Sequence, residues 1–299
     1  MPTALLLPCD PLNPRRADPH FAREAAAARE LGCAVAYLDH DAAARGDVSE
    51  AVARVPRGLG DVRYRGWMVT SEAYAALDAA LRSRGARPLT SPAAYQSAHE
   101  LPGWYEHFRD HTPASRMIPL PPGGLPRELP SAARLAAEAA ALPPGAGIVK
   151  DWVKSRKHEW HTACFVPDLT DTAHLASVVG AFLDGQGEFL VGGVVLRAFE
   201  QFTGPEARVW WVDGEPVLVT PHPDAPDTPA DALPDVLDTP AVRAAVRALG
   251  ASFVTTDLAR RADGVRRIVE VGDGQVSDLP ASADPADLLR PLLVGGPGA

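Results

Sequence analysis

The succession of short apolar segments that begins at residue 147 constrains the fold more than any other feature of this chain. These segments are rich in valine and aromatic residues, and turns or single helices separate them. Short runs of this composition are typical of strands, and strands so close in sequence pair into antiparallel hairpins. The predicted strands span 147–150, 162–166, 194–197, 207–212, 216–220, 253–257 and 267–271. With helices predicted at 173–183 and 240–249, this half is expected to be an α+β lobe.

The first part of the chain shows a different pattern, in which apolar segments alternate with helical ones. Strand-like segments at 4–8, 33–38 and 62–69 alternate with helical segments at 18–31 and 72–83. This alternation predicts a small parallel α/β lobe. A proline-rich stretch between 113 and 144 then connects the two patterns.

The two patterns divide the chain into three predicted regions. Residues 1–115 form the N-terminal α/β lobe, and 116–294 form a second, two-lobed domain that splits near residue 196. The glycine-rich end, 295–299, is predicted to be a flexible tail.

Composition and charge exclude several classes of protein. The chain has 299 residues, of which 46% are hydrophobic and 22% charged, as expected for a folded globular protein. Its formal net charge of −9 argues against nucleic acid or an anionic membrane as the main partner, because both attract clustered positive charge. Cys9, Cys33 and Cys164 are too few and too widely spaced for a disulfide framework. No apolar run reaches the roughly 18 residues of a membrane helix, so we expect a cytoplasmic protein.

Two carboxylates near the end of the chain predict a metal site. Asp257 closes one predicted strand, and Glu270 lies in the next. A hairpin would place them side by side, and Mg²⁺ is commonly held by one or two carboxylates together with phosphate oxygens. The alternative is a pair of solvated acids at two strand ends.

Basic residues that could bind phosphate lie upstream of these acids. Lys150 ends an apolar strand and Lys154 follows in a charged loop, a position that suits a flexible positive charge on phosphate. A solvated basic turn is the alternative interpretation. Further on, Glu206 and Arg208 share one face of a strand because strand side chains repeat every second residue.

Taken in order, these pieces resemble the ATP-grasp superfamily. The acid-x-Arg strand resembles the branch whose ligases add glutamate or tyrosine to protein carboxylates. Two segments, 149–160 (VKDWVKSRKHEW) and 270–277 (EVGDGQVS), are similar to a bacterial ATP-grasp family of largely undefined substrate. The resemblance covers about residues 116–294, and Tyr64-Arg-Gly-Trp-Met68 and Pro102-Gly-Trp-Tyr105 extend it into the N-terminal lobe.

The resemblance implies a role for each group of residues. Lys150 and Lys154 would contact the ATP phosphates, and Arg208 would steady the γ-phosphate or an acyl-phosphate. The adenine hinge would consist of Arg197, Ala198, Phe199 and Glu200, with Glu200 near the ribose.

The metal site departs from the family pattern. Asp257 and Glu270 would hold Mg²⁺, but the usual Glu-x-Asn pair is here Glu270-Val271-Gly272. The third ligand is therefore missing or is supplied by Asp273.

The function that the resemblance implies is an ATP- and Mg²⁺-dependent ligase. It would join a small-molecule or peptide carboxylate to an amine or a thiol through an acyl-phosphate, releasing ADP. A phosphotransferase, or a nucleotide-binding regulatory module without turnover, remains an alternative. The oligomeric state stays open, with a homodimer among the alternatives.

Arg65 is the residue that we expect to dock the acid substrate. It lies in the middle of the apolar segment 62–69, where a charge is costly unless it is paired or faces a crevice. Ligands bind beyond the carboxyl ends of parallel strands, and the guanidinium fork fits a carboxylate. Tyr95 and His99 are expected nearby. The alternative is a structural ion pair with an acid of the same lobe.

Overall fold

A computed structural model describes residues 3–121 and 129–294 and arranges them around three β-sheets. The predicted tail, 295–299, and residues 122–128 of the proline-rich stretch lie outside the described residues. Among the described helices, none combines the length and the apolar character needed to cross a membrane.

The first sheet belongs to the N-terminal lobe and is parallel apart from one strand, which confirms the predicted parallel α/β architecture. Strand β1 pairs with β3 and β4 in parallel, β4 pairs with β5 in parallel, and β2 is antiparallel to the end of β1. The strands are β1 (Ala4–Asp10), β2 (Asn13–Ala17), β3 (Val35–Leu38), β4 (Gly60–Tyr64) and β5 (Ala86–Pro88). Strand β4 is shorter than the predicted 62–69, because the backbone of Gly66 bonds to Gln275 of a distant segment.

The helices begin where the sequence provides caps. Thr70 caps α4 by accepting a hydrogen bond from the amide of Ala73, and Asp171 caps α8 in the same way. The helices are α1 (Ala22–Glu30), α2 (His40–Ala44), α3 (Val48–Ala51), α4 (Ser71–Ser83), α5 (Pro92–His99), α6 (Leu101–Phe108), α7 (Ala132–Ala140), α8 (Thr172–Gln186), α9 (Pro240–Ala248) and α10 (Pro285–Leu289). Shorter helical turns connect several of them.

The second sheet is antiparallel and packs against α7 and α8. Its strands are β6 (Ser115–Pro119), β7 (Gly147–Lys150), β8 (Phe165–Val166) and β9 (Gly193–Ala198), in the order β6-β9-β7-β8. The prediction of a strand at 162–166 was wrong for residues 162–164, which belong to a π-helical turn, Trp160–Cys164, that precedes β8.

The third sheet is also antiparallel, as the closely spaced strands predicted. Its strands are β10 (Phe202–Val212), β11 (Glu215–Pro221), β12 (Phe253–Arg261) and β13 (Arg266–Asp273), in the order β11-β10-β12-β13. Asp213 and Gly214 form the turn between β10 and β11 with φ angles of 52° and 80°. Such paired positive φ angles are typical of tight hairpins.

The two faces of the third sheet have different surroundings. Val209, Trp211 and Val254 pack on one face with α6 and α9. On the other face, Trp210 and Phe253 pack with residues of β1, α1 and α10. The rest of that second face is not covered by this core, and it forms one wall of a cleft toward the second sheet.

Candidate active site

The cleft between the second and third sheets has a volume of about 660 Å³, which is in the size range of small-molecule sites. Strands β7 and β9 contribute Lys150 and Arg197 to one wall. Strands β10, β12 and β13 contribute Arg208, Asp257 and Glu270 to the other. The structure therefore brings together most of the residues that the sequence singled out.

Arg208, Asp257 and Glu270 form a row across three neighbouring strands, which we call the arginine row. Arg208 is opposite Asp257, and Asp257 is opposite Glu270. Residues directly opposite on antiparallel strands point to the same face, with Cβ atoms about 5 Å apart. The two carboxylates are thus side by side, as predicted for the hairpin.

Asp257 is buried and paired with Arg208 through both carboxylate oxygens. Arg208 Nε donates to Oδ1 at 2.8 Å, and Nη2 donates to Oδ2 at 2.9 Å. His222 Nε2 is 3.4 Å from Oδ2. Burial opposes ionisation, but the charges and hydrogen bonds of Arg208 and His222 outweigh it and lower the pKa of Asp257 to about 2. This carboxylate is charged at neutral pH.

Glu270 is more open to the cleft, with 44% of its side chain exposed. Its Oε1 is 3.5 Å from Nζ of Lys150, which is the one ion pair of Glu270 within 3–121 and 129–294. No group of three or more His, Cys, Asp or Glu side chains in those ranges is placed to hold a metal ion. A cation here would need phosphate or water oxygens beside the two carboxylates, which is the usual arrangement for Mg²⁺.

Lys150 and Lys154 both line the cleft because the chain turns sharply between them. The fully buried Asp151 makes that turn, since its Oδ1 accepts hydrogen bonds from the backbone amides of Val153 and Lys154. The other carboxylate oxygen accepts from the side chain of Gln186. Asp151 was not among the predicted site residues, although an Asp followed by turn residues is a recognisable Asx-turn pattern.

The predicted hinge, Arg197 to Glu200, lies along the cleft, but its charged side chains have protein partners. Arg197 is buried, and its Nη2 donates at 2.7 Å to Thr112 Oγ1 and to the carbonyl of Val269. Burial lowers the pKa of Arg197 to about 10, so the guanidinium keeps its charge at neutral pH. Glu200 accepts two hydrogen bonds of 2.8 Å from Arg267.

Aromatic rings surround the exposed part of this hinge. Phe199 is 41% exposed and lines the cleft next to Ala198. Its ring meets those of Phe165 and Trp160 edge to face, at centroid distances of 5.2 and 6.0 Å. Trp160 belongs to the π-helical turn, an irregularity often found at functional sites. The cluster is a suitable surface for a flat aromatic base.

Asp273, the candidate third metal ligand, lines the cleft, but its side chain is directed away from that of Glu270. It lies three residues after Glu270 on β13, and an odd separation directs two strand side chains to opposite faces. Its carboxylate is fully buried, and Oδ1 accepts from the backbone amide of Gln275 at 2.9 Å. Burial raises the pKa of Asp273 to about 7, although the positive charges of Arg63 and Arg65 act in the opposite direction.

Arg65 also differs from its expected role. Its side chain is fully buried and does not line the cleft. Nε and Nη2 donate to the two carboxylate oxygens of Glu24 at 2.7 and 2.8 Å. Nη1 donates to the carbonyls of Gly274 and Ser277, at 2.7 Å each. The alternative interpretation, a structural ion pair with an acid of the same lobe, is the one that the structure supports.

Several titratable residues of the cleft were given no role by the sequence analysis, although Glu206 was noted beside Arg208. Glu206 and His222 flank the arginine row, and Asp224 lies beside His222 and pairs with Lys157. Burial raises the pKa of Glu206. For His222, burial works against the charged ring, but Asp257 outweighs it and raises the pKa. These residues lie on or after β10 and β11 at positions where the sequence shows no pattern beyond strand alternation.

His99 enters the cleft from the N-terminal lobe. It stacks on Tyr95 at a centroid distance of 5.0 Å. Burial, assisted by the nearby charges of Lys154 and Lys150, lowers its pKa to about 4. The ring is therefore neutral at physiological pH.

Comparison with known proteins agrees with this architecture. D-cycloserine synthetase DcsG superposes with a TM-score of 0.61 at 17% identity, covering 97% of this chain and 98% of that one. A RimK domain protein ATP-grasp from Sphaerobacter thermophilus gives 0.59 at 14% identity, covering 98% and 100%. The ATP-grasp ligase PsnB, complexed with minimal precursor, Mg and ADP, gives 0.55 at 13% identity, covering 97% and 96%. At such identities these similarities show the fold.

Sequence comparison identifies the family to which the protein belongs. A search of curated proteins finds no match. The sequence model of an ATP-grasp domain family, the third family of its clade, matches residues 139–292, which is just over half of the chain. This match includes Lys150 and Lys154, the arginine row, and strands β12 and β13, which carry the two acids. The protein therefore belongs to the ATP-grasp superfamily, in the domain family that this sequence model describes.

Proposed function

We propose that this protein is an ATP- and Mg²⁺-dependent ligase that activates a carboxylate as an acyl-phosphate and joins it to an amine. The observation that carries the proposal is the arrangement of charge across one cleft. Lys150 and Lys154 line one wall, and the row Arg208-Asp257-Glu270 lies on the other. Phosphoryl transfer depends on positioning and charge stabilisation more than on covalent help from side chains, and this cleft offers both.

In this proposal ATP lies along the cleft with its base at the hinge. Phe199 and its aromatic neighbours would contact the base, and Glu200, held by Arg267, would be near the ribose. Lys150 and Lys154 would bind the phosphates. Residues 1–115 would form the substrate side of the site, and 116–294 would hold the nucleotide.

The acidic pair fits a divalent cation. The carboxylate of Asp257 uses two hydrogen bonds to Arg208, and a carboxylate has about four lone-pair positions, so it can also bind a metal. Glu270 is half-exposed and faces the same side. Mg²⁺ bound by these two residues would neutralise charge on the ATP phosphates.

The proposed reaction has two balanced steps. An oxygen of the substrate carboxylate attacks the γ-phosphorus, the bond from that phosphorus to the β–γ bridging oxygen breaks, and ADP leaves. The amine nitrogen then attacks the acyl carbon and the carbon–oxygen bond to phosphate breaks. Of the two protons that an ammonium gives up to become an amide, one goes to the departing phosphate and one to solvent. Arg208 would stabilise the negative charge on the transferred group.

The test is ADP release measured against a panel of carboxylates, with hydroxylamine as a general nucleophile that converts an acyl-phosphate into a detectable hydroxamate. We expect hydroxamate and ADP in equal amounts with at least one acid. ADP that requires an acceptor but forms without hydroxamate would identify a phosphotransferase. ATP binding without turnover for every acid would identify a nucleotide-binding module.

A further inference from the structure

We propose that three side chains at the edge of the cleft, His20, Trp67 and Asp278, bind the protonated amino group of the amine substrate. We call these three residues the rim site. The inference rests on the proposed ligase function and names a substrate class for it: an ammonium group that carries an apolar or aromatic part.

The three side chains are in direct contact although they are distant in sequence. The ring centroids of His20 and Trp67 are 4.5 Å apart. Phe21 packs edge to face against Trp67 at a centroid distance of 5.0 Å. His20 Nε2 is 2.7 Å from Oδ1 of Asp278. Trp67 is nonetheless 37% exposed and Asp278 43% exposed, so an accessible indole ring lies beside an accessible carboxylate.

The rim site adjoins the reacting end of the cleft. Asp278 lines the cleft, as does Met68, which follows Trp67. Arg208 Nη1 is 3.4 Å from the backbone oxygen of Asp278. A molecule bound at the rim site would therefore be next to the arginine that we assign to the transferred phosphate.

Arg65 holds all three parts of the rim site in place. It is two residues before Trp67, it pairs with Glu24 four residues after His20, and it binds the carbonyl of Ser277 just before Asp278. The amide of Gly66 also donates to the carbonyl of Gln275 at 2.9 Å, and Tyr64 Oη donates to the carbonyl of Trp67 at 3.0 Å. A fully buried arginine with four bonds at 2.7–2.8 Å thus presets an exposed cluster, which is how binding sites are usually supported.

The charge of the rim site selects an amine over an acid. Oδ2 of Asp278 accepts no hydrogen bond from any of the described residues, so it is available to an ammonium group. The face of an indole ring attracts cations within about 6 Å. A carboxylate substrate would instead meet the negative charge of Asp278. The competing explanation is that Asp278 serves only as the ion-pair partner of His20.

Calorimetry with a matched pair of probes separates these explanations. Phenethylammonium and neutral 2-phenylethanol are titrated into the full chain with Mg²⁺ and a non-hydrolysable ATP analogue. We expect the ammonium to bind at least about tenfold more tightly, because a hydrogen bond between charged groups is about twice as strong as a neutral one. Asp278→Asn should remove most of this preference, and Trp67→Leu should weaken ammonium binding about threefold or more.

Matched controls lie away from the cleft. Phe189→Ala removes a ring that is 77% exposed after α8, and Asp231→Asn neutralises an exposed acid in a short helical turn, Ala230–Ala232. Both should bind the two probes as wild type does. Melting temperatures show whether each variant is folded, and Trp67→Phe, which keeps a ring, replaces Trp67→Leu if that variant unfolds.

The outcomes that overturn the inference differ from those that overturn the ligase. The inference is overturned if the two probes bind equally, if neither binds, or if Asp278→Asn keeps the preference for the ammonium. In each case the remaining explanation is that Asp278 serves only as the ion-pair partner of His20. Hydroxamate formation with wild-type protein depends on neutral hydroxylamine and decides the ligase function separately.

Discussion

Asp257 and Glu270 are directly opposite each other on β12 and β13, yet among the described residues an arginine binds only Asp257. Glu270 instead faces the cleft opposite Lys150. The two carboxylates of the proposed metal pair therefore differ in what holds them: one is fixed by the protein, and the other is free to adjust to a ligand. Their replacement should have different structural costs but the same catalytic result.

Asp257→Asn and Glu270→Gln should each lower the turnover number about 100-fold or more, while nucleotide affinity without Mg²⁺ changes only a few fold. The physical reason is that the metal mainly neutralises charge that develops during transfer. Steady-state rates over a Mg²⁺ titration check this. Asp263→Asn, at an exposed hairpin turn, is the control. Wild-type rates in both variants at limiting Mg²⁺ would remove the metal assignment.

Lys150→Met and Lys154→Ala should each weaken ATP binding about tenfold, because each removes a charge-assisted contact to phosphate. Methionine is chosen at 150 because that side chain is buried and its volume must be filled. Calorimetry measures the affinity, with exposed Arg57→Ala as the control. Unchanged affinity in both lysine variants would show that these residues do not contact the phosphates.

Arg65→Ala should lower the free energy of unfolding by about 3–5 kcal/mol, since it leaves the buried carboxylate of Glu24 without its partner. Glu24→Gln should have a similar effect. Arg109→Ala breaks an exposed ion pair and should cost less than about 1 kcal/mol. Urea unfolding provides the comparison. An unaltered stability together with a raised Michaelis constant for the acid would restore the substrate-docking role.

Lowering the pH should reduce the difference in the free energy of unfolding between wild type and Asp257→Asn. The pKa of Asp257 in the folded protein is about 2, below its ordinary value of 3.8. A carboxylate whose pKa is lowered by folding stabilises the folded protein at pH values above its ordinary pKa. This contribution is lost as the pH falls from about 4 to about 2. It amounts to about 2 kcal/mol. Urea unfolding of both proteins at pH 6 and pH 3 checks the sign, and a gap that widens at pH 3 would contradict it.

The local pattern was sufficient to predict that a hairpin places Asp257 beside Glu270. The determining contacts are between β12 and β13, two strands that are close in sequence. The predicted parallel first sheet was confirmed for the same reason, because helices and strands alternate there with short connections.

Roles that depend on distant contacts could not be predicted in this way. Arg65 meets Gly274 and Ser277, more than 200 residues later, so its local pattern could only indicate that a charge needs a partner. Asp273 was proposed as a ligand from its nearness to Glu270 along the chain, although strand geometry directs it to the other face. At Trp160–Cys164, apolar residues that resemble a strand form a π-helical turn, because a run this short fits either structure.

The packing of Leu5 and Leu7 of β1 with Trp210 and Phe253 has a consequence for dissecting the protein. The predicted boundary near residue 115 separates the elements along the chain, but this shared core crosses it. Each half expressed alone would expose large apolar side chains and would be prone to aggregate. The two halves produced together should instead associate and restore one cooperative unit, as in fragment complementation.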